Sequence, residues 1–189
     1  MTATRSGRGS EHFEITYYVA CSIDGFIADA EGRLDWLRPF EQTGDDYGYA
    51  AFYESVDAVV LGRSTFDFVR DMPEWPYEDK PTWVFSHASL GALPRRAVAT
   101  VEEPVAFAAR LRAHGYRHVY LVGGGRLAAS FRAAGLITRY VVSVVPVILG
   151  GGLPMIGPGG GVERLECIRS EAFPSGIVQL EYASASRTA

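Results

Sequence analysis

Short blocks of β-branched and aromatic residues alternate along this chain with stretches whose apolar residues recur at helical spacing. The first block, FEITYYVAC, predicts a strand over residues 13–21. Turn signals follow at Asp24-Gly25 and Glu31-Gly32. DDYGYAAFYESV predicts a helix capped by Asp45 or Asp46, with Tyr49, Phe52 and Tyr53 on its apolar face. DAVVLG reads as a buried strand, and RSTFDFVRDM as a helix that starts near Ser64 and stops before Pro73. TWVFS and AVATV predict two more strands. EPVAFAARLRAHG predicts a helix with Pro104 in its first turn and Gly115 at its exit. HVYLVG is a strand, GRLAASFRAAG a helix, and TRYVVSVVPVIL one long strand bent at Pro146. VERLECIRSEAF and IVQLEYAS predict a closing antiparallel hairpin that turns through Pro174, Ser175 and Gly176.

This alternation predicts an α/β layer protein with a mixed, mostly parallel sheet and a C-terminal antiparallel hairpin. No repeat or linker interrupts it, so residues 13–185 read as a single domain behind a loose tail over residues 1–12. Nearly half of the 189 residues are apolar, enough for a sizeable core. A net charge of -4 argues against general nucleic-acid binding. The longest apolar run, YVVSVVPVIL, is too short to span a bilayer, and the N-terminus lacks a signal-peptide core. Cys21 and Cys167 lie far apart, which suits a reducing cytoplasm better than a disulfide framework or a metal site.

Charge is uneven along the chain. No acidic residue occurs between Glu103 and Glu163, whereas Arg110, Arg112, Arg117, Arg126, Arg132 and Arg139 do. That points to an anionic ligand or to ordinary solvated helix faces. The turn after HVYLVG bears on the choice. Gly123, Gly124, Gly125 and Ala128 fit G-x-G-x-x-A between a strand and a helix, where unpaired N–H groups can cradle a pyrophosphate. A tight turn with no ligand is the other reading. The acid that would bind ribose hydroxyls about twenty residues on is absent, so a standard NAD fold is excluded. A second strand ends at Gly62, and Arg63, Ser64 and Thr65 open a helix. A third ends at Ser86 and His87. Three such ends in one crevice suit a long phosphorylated ligand, and an arginine without the ribose acid favours NADP.

Taken in order, VACSIDGFIAD, DAVVLGRSTFD, PTWVFSH, VYLVGGGRLAASF and VVPVILGGGLPMI resemble the dihydrofolate reductase-like superfamily and, within it, the RibD C-terminal domain family. The resemblance spans residues 13–182. It implies a three-layer α/β/α fold that binds NADPH. Gly62, Arg63, Ser64 and Thr65 would meet the cofactor phosphates, with Ser86 and His87 near the adenosine 2′-phosphate. Val122, Gly123, Gly124 and Gly125 would hold the pyrophosphate, with Arg126 and Leu127 starting the helix. Family members often form homodimers, and one is expected here.

The implied activity is hydride transfer from NADPH to a small heterocyclic or carbonyl substrate. It would be similar to 5-amino-6-(5-phosphoribosylamino)uracil reductase of riboflavin biosynthesis, or to a stand-alone relative. Asp46, sixteen residues before Gly62, and Asp24 are the proton-donor candidates, through a carboxyl pKa raised by partial burial. Asp46 as a helix cap and Asp24 as a turn former are the plainer readings. Trp36, Tyr47, Tyr49 and Phe52 can wall a flat heterocycle or belong to the core. A dihydrofolate reductase-type activity, a non-catalytic NADP-binding or regulatory protein, and an interaction module are the alternatives.

Overall fold

A computed structural model describes residues 13–185; the tail expected over residues 1–12 lies outside the described residues. An eight-stranded sheet forms its centre, in the order β5-β4-β3-β6-β1-β7-β10-β9. These strands are β1 (Glu14–Ser22), β3 (Ala58–Gly62), β4 (Thr82–Phe85), β5 (Ala97–Thr100), β6 (His118–Gly123), β7 (Arg139–Val145), β9 (Leu165–Ala172) and β10 (Val178–Ser184). The first six in space run parallel, and β10 and β9 close the sheet antiparallel. A small second sheet pairs β2 (Phe26–Ala28) with β8 (Leu153–Pro154).

Strand pleating sorts the core into two halves. Ile15 and Tyr17 face one side, where α4 (Pro104–Ala113) and α5 (Gly125–Ala133) bring Phe107, Leu111 and Phe131 into contact with Tyr140 and Ile137. Tyr18 faces the other side with Leu61, Phe66 and Tyr120, packed by α2 (Tyr49–Ser55) and α3 (Arg63–Val69). A further helical turn, α1 (Arg38–Glu41), precedes α2. β1 and β3 are buried on both faces, which is why their sequences run almost unbroken in apolar residues.

The helix starts follow local chemistry. Pro104 occupies the first turn of α4, and Gly115 exits it at φ +89°. One expected element is corrected. The strand read through Leu149 ends at Val145, because Pro146 cannot donate to the ladder and the chain folds back with Val147 N–H on the Val145 carbonyl at 2.7 Å. The hairpin turn lies where expected, Gly176 N–H donating to the Phe173 carbonyl at 2.9 Å.

Candidate functional site

β1, β3, β4 and β6 all point their C-terminal ends to one edge of the sheet. The chain also reverses its order of addition beside them, the usual place for a crevice in an open α/β sheet. Two glycine-bearing turns meet there. The point where a Gly62 Cβ would sit lies 3.6 Å from the Gly123 oxygen, the Gly124 nitrogen and the Leu127 Cβ. A Cβ on Gly124 would meet the Thr65 Oγ1 at 3.5 Å and the Ile27 Cδ1 at 3.8 Å. The structure thus brings Gly62, Thr65, Gly123, Gly124 and Leu127 together. The Gly123–Gly124 peptide is cis.

The three glycines do different work. Gly123 adopts φ +128°, which strains an L side chain. Gly124 is the N-cap of α5. Gly125 has no room for a side chain, since its Cβ would stand 2.2 Å from the Pro154 oxygen. Protein, not ligand, fills that side of the turn. Gly157 N–H donates to the Gly125 carbonyl (2.9 Å), and the Tyr17 hydroxyl donates to the Met155 carbonyl (2.5 Å). The early N–H groups of α5 have no intrahelical acceptor.

The arginines expected to attract an anion are mostly committed elsewhere. Arg110 pairs with Glu102 (2.7 Å), Arg112 covers the Phe13 ring, and Arg117 donates to the Tyr116 carbonyl. Arg132 pairs with Glu163, and Arg139 with Glu181. Arg126, exposed in the first turn of α5, has no side-chain partner among the described residues. Arg63 Nε donates to Asp67 (2.5 Å) and Nη1 to the Ser89 carbonyl (3.1 Å), tying α3 to the loop after β4. In that loop the Ser86 hydroxyl is spent on Ala88, while His87 is exposed and has no side-chain partner among the described residues. Ser64 is exposed, and Val122 is half-buried against the α2–α3 side of the core.

Both proton-donor candidates depart from expectation, because their carboxyl pKa values move down. Asp46 accepts N–H bonds from Ala50 (3.0 Å) and Gly48 (2.9 Å), and these hold it below the usual carboxylate range. It caps α2. Asp24 is lowered by the Ser22 hydroxyl and by the N–H groups of Leu149 (3.1 Å) and Gly150 (2.7 Å), so it pins the loop after β7. Both are exposed and ionised at neutral pH, and the raised pKa expected of them is absent. Burial pushes the neighbouring Cys21 thiol up to about 11, which leaves it protonated.

Tyr49 packs edge-on against Tyr18 and Tyr120, and Phe52 packs edge-on against Tyr120 and tilted against Tyr18, which ties both rings to the α2–α3 half of the core. Trp36 lies on a short 3₁₀ turn (Asp35–Leu37), its Nε1 shielded from solvent and without an acceptor among the described residues. Sequence reasoning missed the network that holds α2 in place. Tyr47 adopts φ +54°, and its carbonyl accepts from the Tyr18 hydroxyl (2.9 Å) and from Gln179 Nε2 (3.0 Å). The Tyr47 ring packs edge-on against Phe173. Gln179 lies on β10, some 130 residues away in sequence, and only tertiary pairing could have revealed it. Ile27, Pro154 and Met155 were missed for the same reason.

Two cavities lie away from this edge. One of about 260 Å³ sits between β7, β10 and the segment after β8, walled by Tyr140, Met155, Leu180 and Tyr182. The other, an open polar cleft of about 560 Å³, lies at the opposite ends of β3, β4 and β5.

Residues 14–179 match the RibD C-terminal domain family. The chain belongs to that family. It is 36% identical over 169 residues to the Bacillus subtilis (strain 168) protein YwjB, covering 89% of this chain and 96% of that one. A crystal structure of a Shewanella sp. PV-4 protein, named for riboflavin biosynthesis, superposes with a TM-score of 0.83 at 32% identity, covering 92% of this chain and 99% of that one. The Enterococcus faecalis dihydrofolate reductase complexed with NADP(H) shares the fold, with a TM-score of 0.62 at 18% identity over 92% of this chain and 97% of that one. The RibD-type sheet therefore carries the dihydrofolate reductase-like topology expected from the sequence, hairpin included. No described helix is long and apolar enough to cross a membrane.

Proposed function

We propose that this protein is an NADPH-dependent reductase that passes a hydride to a small heterocyclic or carbonyl substrate. The observation that carries the reading is the close approach of the Gly62–Thr65 turn to Gly123 and Gly124, so near that a Cβ on Gly62 or Gly124 would meet the other turn at 3.5–3.6 Å, beside a helix start with unpaired N–H groups. The residues present fit the cofactor. The α5 amides and Arg126 would hold the pyrophosphate, and the backbone of Gly62 to Thr65 would meet further phosphate oxygens. His87, just after β4, and Arg63, at the start of α3, would meet a 2′-phosphate, with Arg63 keeping its Nε bond to Asp67. When bound, NADPH supplies the hydride.

The chain's own part is to position, to exclude water and to place a proton. Tyr49 and Phe52 offer aromatic surface for a flat ring. Asp46, ionised, can orient a water toward the reduced atom; it does not hold a proton to give at neutral pH. The Tyr18 phenol, pushed to about 12 by burial, stays protonated and keeps the Tyr47 carbonyl in place. A cytoplasmic setting fits two free thiols, one buried and one exposed.

Calorimetric titration with NADPH, followed by loss of NADPH absorbance across a panel of pteridines, pyrimidines and carbonyl compounds, tests the reading. Absence of heat at millimolar NADPH overturns it. Binding without turnover on any compound favours a non-catalytic NADP-binding protein. Arg63→Ala should weaken NADPH more than NADH; equal losses remove Arg63 from the 2′-phosphate. A homodimer through β9 and β10 belongs to the same proposal, because Leu165, Ile168 and Val178 leave apolar surface exposed on that hairpin. A monomeric mass by light scattering would remove it.

A further inference from the structure

We infer that the Tyr17 hydroxyl positions the cofactor without touching it: through residues 153–157 it sets the aim of the N–H groups that would receive the diphosphate. The inference rests on the reductase reading above and adds to it a residue beneath the glycine turn.

Tyr17 lies on β1, wholly buried, opposite Leu121 of β6. Its ring reaches forward under the turn. Cε2 and the hydroxyl oxygen stand 3.7 and 4.0 Å from the point where a Cβ on Gly123 would sit, an ordinary van der Waals contact. Tyr140 of β7 holds the ring edge-on, with 6.5 Å between centroids. Burial lifts the phenol above its ordinary range, so it keeps its proton and can only donate. It donates to the Met155 carbonyl at 2.5 Å. Among the described residues, no other side chain hydrogen-bonds to residues 153–157.

That segment is the back wall of the turn. Met155 N–H donates to the Gly25 carbonyl (2.9 Å), and the Pro154 oxygen lies where a Cβ on Gly125 would meet it at 2.2 Å. Two residues past Met155, Gly157 N–H donates to the Gly125 carbonyl (2.9 Å). The Gly125 carbonyl and the Arg126 N–H belong to one planar trans peptide, so they point in opposite directions. Fastening the carbonyl therefore aims the Arg126 N–H, one of the early α5 donors without an intrahelical acceptor. An anion is held more tightly by donors that need not reorganise to meet it. Removing the Tyr17 hydroxyl leaves the Met155 carbonyl without its buried partner, and the segment can shift, taking the Gly125 peptide with it. Because the hydroxyl is spent on protein, Tyr17 is a positioning residue and not a cofactor ligand.

The test compares Tyr17→Phe with Tyr140→Phe. Each variant loses one phenol hydroxyl from the same half of the core and keeps its ring. The Tyr140 hydroxyl bonds to Glu163 (3.0 Å) and not to residues 153–157. NADP⁺ is titrated calorimetrically into the parent and both variants, and the Tm of each is measured. Both variants should lose stability. Tyr17→Phe should also weaken NADP⁺ by about tenfold, whereas Tyr140→Phe should stay within about twofold of the parent. Equal affinities in the two variants overturn the inference, since Tyr17 then supports the fold alone. The parent protein gives a second reading that needs no variant. Coupling is reciprocal, so saturating NADP⁺ should slow amide hydrogen exchange at Met155 and Gly157. Unchanged exchange there, with NADP⁺ bound, overturns the inference as well. Failure of NADP⁺ to bind the parent is a different result and overturns the reductase reading instead.

Discussion

Replacing Gly125 with alanine isolates the part of the glycine turn that protein packing, not a ligand, requires. The added Cβ would sit 2.2 Å from the Pro154 oxygen and 3.3 Å from the Met155 oxygen. Both neighbours are backbone, so no side chain can swing aside. The β2–β8 sheet or the first turn of α5 has to move, and the 2.9 Å bond from Gly157 N–H to the Gly125 carbonyl is stretched with it. Overpacking of this kind costs about 1–3 kcal/mol. Losing or weakening one backbone hydrogen bond adds about 0.5–1.5 kcal/mol. Alanine returns about 0.4–1 kcal/mol through a less flexible unfolded chain. The balance is a destabilisation of about 2 kcal/mol, or roughly 4–8 °C in Tm for a domain of this size. Differential scanning calorimetry of Gly125→Ala checks this, with Gly62→Ala as the comparison. A Cβ on Gly62 meets its neighbours at 3.6 Å, an ordinary contact, so that variant should keep its Tm within about 2 °C. A Gly125→Ala protein as stable as the parent would refute the close approach of β8.

Glu14 is held down at about 2, first by its hydrogen bond to His118 (3.0 Å). Its folded pKa lies below the ordinary 4.5, so its stabilisation is present above that value and is lost as pH falls from 4.5 toward 2. Urea unfolding across that window should show a loss of about 2–3 kcal/mol that Glu14→Gln largely abolishes; an unchanged acid limb in the variant contradicts the pairing. Asp24→Ala should free the Leu149 and Gly150 amides, seen as faster hydrogen exchange at those two positions while β7 stays protected. Unaltered exchange there would mean the carboxylate does not pin the loop. Arg126→Ala should weaken NADPH by about tenfold with no change in Tm, since its side chain has no partner among the described residues; a large stability loss would place it in the fold instead.

Much of the architecture was legible in the sequence. Strands buried on both faces, as at AVVLG, announce themselves as unbroken apolar runs. Pro104 and Gly115 mark helix ends by chemistry that needs no neighbour. The glycine turns were also legible, because glycine between a strand and a helix marks a special backbone wherever it occurs.

What the sequence could not show is which partner each group has spent itself on. Five of the six arginines between Glu103 and Glu163 are committed to carboxylates, carbonyls or an aromatic ring, several of them far away in the chain. Asp24 reads as an acid with a raised pKa until folding brings the Leu149 and Gly150 N–H groups to its oxygens, whereas the Gly48 and Ala50 N–H groups that lower Asp46 are close in sequence. Gly125 reads as a ligand's neighbour until β8 arrives from about thirty residues on and places the Pro154 carbonyl against it. Local periodicity and turn chemistry are properties of a few consecutive residues, so the sequence by itself determined the elements and the positions of its special backbone. Hydrogen bonds and close contacts belong to pairs that only the sheet order brings together, so the tertiary structure alone decided which polar groups remain free to meet a ligand.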